Sequence, residues 1–336
     1  MSVFAAATGL GSWPGTSPRR AVEVIVGELH QLPYLPELPA RGIGADMIGR
    51  AGALLVDIAI DTVVRGYRIA ARPGAVTRRA ASLLEEDLDA LEEAWEKAGG
   101  PQPGRTVKVQ APGPVTLAAQ LELGNGHRAI TDPGAVRDLT ASLAEGVSIH
   151  RAQVARRLST PVVVQFDEPL LAAALGGRLA GVTALTPVHP VDEVLAIAML
   201  DECVNRASGE VLLHCCAEDL PWNVLQRSAI GAVSLDARAL GAAGLDGLGE
   251  FADSGRSVVL GMVGAVAAER RPGVEELAAA TAAVTDRLGV PRAVLPQRVG
   301  ISPACGLAGA DESWARAVTG LTQRVATAIA DSPEGL

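Results

Sequence analysis

Short runs of Val, Ile and Leu recur along the chain, each followed by a longer stretch whose apolar residues return every three or four positions. The first pattern suits a strand buried on both faces and the second an amphipathic helix lying over it, so the alternation predicts βα units around a parallel sheet. The clearest strands begin at Thr106 (TVKVQAPG), Thr160 (TPVVVQFDEP), Glu210 (EVLLHC), Ala232 (AVSLDA), Ser257 (SVVLGMV) and Arg298 (RVGISPA). A first strand is predicted over residues 4–11 (FAAATGLG) and another near residues 39–48. Helices are predicted from the Ser17-Pro18 entry onward and over residues 74–99, 133–158, 190–206, 238–254, 273–288 and 311–331. Eight strands with about eight helices predict an α/β fold, a single (β/α)8 TIM barrel. The barrel is expected to span residues 1–336 as one domain with N-terminal loop elaborations, and AGGPQPGRT is the one weak boundary. The proline-rich LPYLPELPARG, residues 32–42, reads as a rigid loop at the mouth of the first unit.

Composition narrows the partners. With 49% hydrophobic residues the chain can bury a large aliphatic core. A net charge of −9, from 38 acidic and 29 basic residues, speaks against nucleic acid, which needs a basic face to displace counterions. The opening MSVFAAATGLGSWPG has no basic segment ahead of its short apolar stretch, so it does not read as a secretion signal. No apolar run is long enough to span a bilayer. A cytoplasmic protein without a membrane partner is expected. In a reducing compartment the four cysteines, Cys203, Cys215, Cys216 and Cys305, are thiols rather than a disulfide framework. Adjacent Cys215 and Cys216 are also badly placed to bridge each other.

A barrel of this kind builds its site at the C-terminal ends of its strands. Reactive residues stand where the apolar runs stop: Ser12, Asp167 with Glu168, His214 with Cys216, Asp236, and Cys305. Strand alternation turns His214 and Cys216 to one side and Cys215 to the other. Cys305, on the last strand, can converge with them across the mouth, and Asp236 could add an oxygen. One nitrogen, two sulfurs and one oxygen form a set that Zn²⁺ accepts in tetrahedral geometry. An isolated His-x-Cys is often incidental, and buried cysteine is a common packing residue. Convergence at four strand ends is what favours the metal.

Other positions admit plainer readings. Asp167-Glu168-Pro169 is read as facing a pocket, and Ser12 as either a turn residue or part of that pocket. His30, His127 and His150 are read as solvated or locally hydrogen-bonded, and His189 as a loop residue. No G-x-S-x-G elbow, P-loop or dinucleotide fingerprint is present, which removes those chemistries.

Five segments taken in order resemble a known family: TGLGSWPGT, APGPVT at 111–116, QFDEPLL at 165–171, HCC at 214–216 and SPACGLAG at 302–309. They are similar to the successive motifs of cobalamin-independent methionine synthase, in its C-terminal catalytic barrel, across essentially the whole chain. The resemblance implies a (β/α)8 barrel in the superfamily shared with uroporphyrinogen decarboxylase, and a zinc ion. The ligands it implies are His214, Cys216, Cys305 and Asp236, the last standing where the family usually has glutamate. It further implies that Ser12 and Asp167 help hold the amino acid substrate. No catalytic residue is expected beyond the metal site.

The implied reaction is methylation of a thiol, homocysteine to methionine. Two departures bear on it. The family's acidic HGE-type element reads RGIGADM here, so Asp46 or Glu37 would have to supply the second carboxylate for the substrate amine. The strand from Ser257 lacks the histidine that long family members place there, and the second barrel that helps hold polyglutamylated folate is not expected. The donor is therefore read as something other than directly bound folate, with a corrinoid protein or another methyl donor open. Competing expectations are a decarboxylase-like enzyme, another thiol alkyltransferase of the superfamily, and a non-catalytic binding homologue.

Overall fold

The computed structural model describes residues 2–183, 186–267 and 270–335. Its strands are β1 (Ala59–Val63), β2 (Gly66–Ala70), β3 (Val107–Pro112), β4 (Leu121–Glu122), β5 (Val162–Asp167), β6 (Val211–His214), β7 (Ala232–Leu235), β8 (Ser257–Val263) and β9 (Val299–Pro303). Six of them form one sheet in the order β3-β5-β6-β7-β8-β9, every pair parallel. Helices return the chain between them, including Pro133–Leu158, Glu193–Ala207, Ala242–Asp253 and Val274–Arg287, and Glu312–Asp331 follows the last strand. These six strands and most helices fall where apolar periodicity predicts them.

The sheet curls, and two extended segments near the N-terminus fill the remaining positions. Ala7 bridges Ile301 of β9, with Thr8 N–H donating to Ile301 O at 3.0 Å. Tyr34 bridges Lys108 of β3, with Lys108 N–H donating to Pro33 O at 2.9 Å. The two segments meet at the Ser12–Glu37 bridge, where Trp13 N–H donates to Glu37 O at 2.8 Å. The second strand position is thus residues 33–37, inside the proline-rich segment, and not residues 39–48. The latter hold a 3₁₀ turn, Pro39–Arg41, and the entry to a short helix, Met47–Ala51. Pro33 and Pro36 have no N–H to donate, so this position pairs by single bridges instead of a continuous ladder.

One elaboration was not predicted as such. β1 and β2 form an antiparallel hairpin, turned at Val64 and Arg65, and β4 adds to β2 in parallel. Tyr67 of this hairpin reaches back, accepting from Gly44 N–H at 2.9 Å and donating to Asp46.

Strand alternation divides the core. Outward residues such as Val107, Val109, Val164, Phe166, Leu213, Cys215, Leu235, Leu260 and Ile301 join the large apolar layer under the helices. Inward residues Phe4, Ala6, Leu32, Leu212, Ala232 and Val259 form a separate apolar floor, with Val163 against it. Two residues further toward the C-terminal ends, the interior turns polar at Gln165, His214 and Ser234. Buried polar groups are tolerated when they are hydrogen-bonded. Accordingly Lys108 Nζ donates to Gln165 Oε1 at 2.7 Å, and Gln165 Nε2 donates to Leu10 O at 2.9 Å and Asp167 Oδ1 at 2.7 Å.

Candidate metal centre and substrate pocket

The metal candidates converge in part. Donor atoms of His214, Cys216 and Cys305 all lie within 4.8 Å of one another, and the two sulfurs are 3.5 Å apart. The ladder sets this arrangement up. Cys215 N–H continues the β6–β7 pairing onto Ser234 O at 3.0 Å, so His214 and Cys216 share the inward face while Cys215 is fully buried among the outward residues. Ala304 N–H donates to Val263 O at 2.7 Å, which fixes Cys305 two residues beyond the end of β9.

His214 is the informative member. Its Nδ1 lies 3.2 Å from Ser234 O, and a carbonyl can only accept, so Nδ1 carries the proton. Nε2 is then a buried lone pair, and it has no hydrogen-bond partner. A buried acceptor left without a partner is costly unless something occupies it. Contact with Cys216, and next with His214, holds the Cys305 thiol below its usual range, while contact with Cys305 and burial push Cys216 above it. An imidazole nitrogen with two thiol sulfurs is a donor set suited to Zn²⁺.

Asp236 does not join them. Its carboxylate accepts from Arg238 through Nε at 2.9 Å, Nη2 at 2.8 Å and the main-chain N–H at 3.0 Å. Asp46 is likewise engaged elsewhere. It caps the helix Met47–Ala51, accepting from Ile48 and Gly49 N–H, and also accepts from Tyr67.

Ser12 and Asp167 do lie beside the cluster. Ser12 O accepts from Leu307 N–H at 2.9 Å, and Gly306, next to Cys305, leaves the space that Ser12 Oγ fills; a Cβ there would come within 2.1 Å of that oxygen. Asp167 stands opposite His214 in the β5–β6 register. Burial pushes its carboxyl up to about 6, against the opposing pull of His214 and Lys108. Glu37 is a second buried acid of this region, pushed up to about 7 by burial although Arg50 lowers it, and Asp167 contributes to raising it. Lys108 faces both acids from below, and burial brings its ammonium down to about 8. Lys108 was not singled out in the sequence, because a lone charge in an apolar run carries no signal that it points into a barrel.

Glu168 has a different task from its neighbour. Its carboxylate accepts from Val115 N–H, Thr116 N–H and Thr116 Oγ1, at 2.9, 2.9 and 2.6 Å, and so ties β5 to the start of the helix Pro114–Gln120. His150 is not solvated as read from the sequence. It is buried, with burial bringing it down to about 3, so it is neutral. His127 and His189 line an open cleft of about 290 Å³ that none of the three donors lines.

The family described as cobalamin-independent synthase, catalytic domain, matches residues 4–328. The chain belongs to that family. It is thereby a methyltransferase domain. Solved structures of similar fold include a B12-independent methionine synthase from Shewanella sp. W3-18-1 in complex with selenomethionine (TM-score 0.64, 12% identity, 99% of this chain and 100% of that one). A methyltransferase from Methanosarcina mazei follows (0.57, 14%, 98% and 92%), then a putative vitamin-B12 independent methionine synthase from Listeria monocytogenes (0.56, 15%, 93% and 86%). No protein of curated function matches the chain. In this cobalamin-independent synthase domain, two motifs distant in sequence interlock, since GSWPG at the first strand end packs on CGLAG at the last. No helix among the described residues is long and apolar enough to cross a membrane.

Proposed function

We propose that this domain is a zinc-dependent thiol methyltransferase that methylates homocysteine to methionine. Two observations carry the reading together: a ring nitrogen of His214 and the sulfurs of Cys216 and Cys305 all lie within 4.8 Å of one another, and the buried Nε2 of His214 has no hydrogen-bond partner. His214, Cys216 and Cys305 would hold the ion. Zn²⁺ there would supply Lewis acidity that makes a substrate thiol a thiolate near neutral pH.

The chain's own residues do the rest. The Ser234 carbonyl fixes the His214 tautomer and ring direction. Asp167, held by Gln165, and Glu37 offer carboxylates to a substrate ammonium, and Glu37 takes the part expected of Asp46. Ser12, seated on the Cys305 loop, completes the amino acid pocket. Orienting the acceptor in this way converts an encounter into a directed approach. The selenomethionine bound to the Shewanella enzyme, a methionine analogue, supports an amino acid of this type as ligand. β8 ends at Gly261-Met262-Val263 without a histidine, so the donor is read as one other than directly bound folate, and a corrinoid protein is the first carrier to test.

Metal analysis combined with X-ray absorption tests the proposal. About one zinc per chain, with one further sulfur ligand on homocysteine addition, is expected. Zinc-free protein of full activity, or an unchanged sulfur count, overturns it.

A further inference from the structure

The end of β7 bears on how many ligands the metal receives, an inference that rests on the zinc reading. Asp236 follows Ser234 in the inward row, where a fourth ligand would stand. Yet both of its oxygens are engaged by Arg238: Oδ1 accepts from the main-chain N–H and Nε, and Oδ2 from Nη2. Asp236 is also the N-cap of the 3₁₀ turn Ala237–Ala239, so the residue that opens the turn receives the guanidinium the turn carries. Gly264, just past β8, leaves room for this arginine, since a Cβ there would come 3.0 Å from Arg238 Nη1. Among the described residues, the donor group that converges is His214, Cys216 and Cys305 without Asp236.

We propose that Arg238 holds Asp236 off the metal, so that this chain provides three ligands and leaves the fourth position to the substrate sulfur. A two-pronged arginine–carboxylate pair is among the stronger side-chain contacts, and aspartate is one methylene shorter than the glutamate the family usually has. To reach the ion it must leave the arginine and open its own turn. Charge favours the same outcome. Two thiolates and a neutral imidazole balance Zn²⁺, and a substrate thiolate then makes the centre singly negative. With Asp236 also bound it would become doubly negative, and like charges gathered on one ion repel. Three protein ligands with one exchangeable position is the general pattern of catalytic zinc.

The test is zinc competition against a chromophoric chelator, with X-ray absorption to count ligands, on wild type, Asp236→Asn, Arg238→Met and Cys305→Ser. Even an outer partner of a metal ligand typically carries about 10–100-fold in affinity, so a true ligand must carry at least that. Asp236→Asn is expected to bind zinc within about threefold of wild type, with the ligand count unchanged. Arg238→Met, which frees Asp236, is expected to gain an oxygen ligand and bind about tenfold more tightly. Asp236→Asn weakening zinc by about tenfold or more would overturn the proposal, as would an Arg238→Met protein identical to wild type in affinity and ligand count. Absence of zinc from wild type, or its retention in Cys305→Ser, would instead sink the zinc reading itself.

Discussion

His214 Nδ1 faces the main-chain oxygen of Ser234 at 3.2 Å, across the β6–β7 ladder, and this contact settles which ring nitrogen is free. Because the acceptor is backbone, no side-chain exchange at Ser234 removes it. Long-range ¹H–¹⁵N spectra of the zinc-loaded domain should show His214 protonated at Nδ1 and shifted at Nε2. His214→Ala should weaken zinc by at least about tenfold, and undiminished binding would count against a role for this ring.

The neighbouring cysteines should behave oppositely. Cys215 packs in the outward apolar layer, and Cys216 lies on the inward side, 3.5 Å from Cys305. Cys215→Ala should cost about 1 kcal/mol of stability and leave metal content intact. Cys216→Ala should lose the metal with little change in thermal unfolding of the metal-free protein. Metal loss in the first variant would mean the register is shifted by one residue.

Acceptor binding should depend on Glu37 and Asp167 separately from metal. Glu37→Gln and Asp167→Asn each remove one carboxylate from a buried region that also holds Lys108. Each should weaken homocysteine by roughly tenfold or more, as loss of a buried charged hydrogen bond does. Zinc content should stay at the wild-type level. Calorimetric titration of the loaded protein reads both, and unaltered affinity in both variants would exclude them as the ammonium site.

Glu168 gives stability a pH dependence. Burial raises its carboxyl to about 7, above the 4.5 of the open chain. Between these values the folded state keeps a proton that the unfolded chain has released, so this contribution is complete below pH 4.5 and is lost as pH rises through about 7. Glu168→Gln, which cannot ionise, should flatten the fall in unfolding temperature between pH 5 and pH 7.5 while lowering stability at pH 5 through its mispaired amide. An unchanged slope would place the dependence on other buried acids.

Much of this domain could be read before its structure. Apolar runs long enough to cross a barrel wall marked all six strands of the continuous sheet, and alternation alone separated Cys215 from His214 and Cys216. The second strand position stayed hidden because Pro33 and Pro36 read as loop, although extended backbone bonded at its other positions can include them. The β1–β2 hairpin was missed because its strands are only five residues each, lie outside the six-stranded sheet and bury few side chains, Ile60 and Tyr67 among them. Charged interior residues were hidden for another reason. Lys108 is buried only because Gln165, 57 residues later, comes round to meet it. Asp236 shows the reverse case: its place in the chain suggested a ligand, and nothing in the chain pattern signalled that Arg238, two residues away, engages its carboxylate.

The seam of the barrel has a consequence for how this enzyme could change. Ser12 and Glu37, which the proposal assigns to the acceptor pocket, ride on staves paired at isolated bridges, whereas His214 stands on continuous ladder and Cys305 just past its end. Isolated bridges fix a segment's register less repeatedly than a continuous ladder does. In the proposed site, substitutions at Ser12 and Glu37 would alter acceptor binding while His214 and Cys305 keep their places, whereas Gly9 and Gly11 leave no room for a side chain. The seam between the two N-terminal staves would then be where the acceptor pocket can be retuned one side chain at a time, with the parallel ladder left in register.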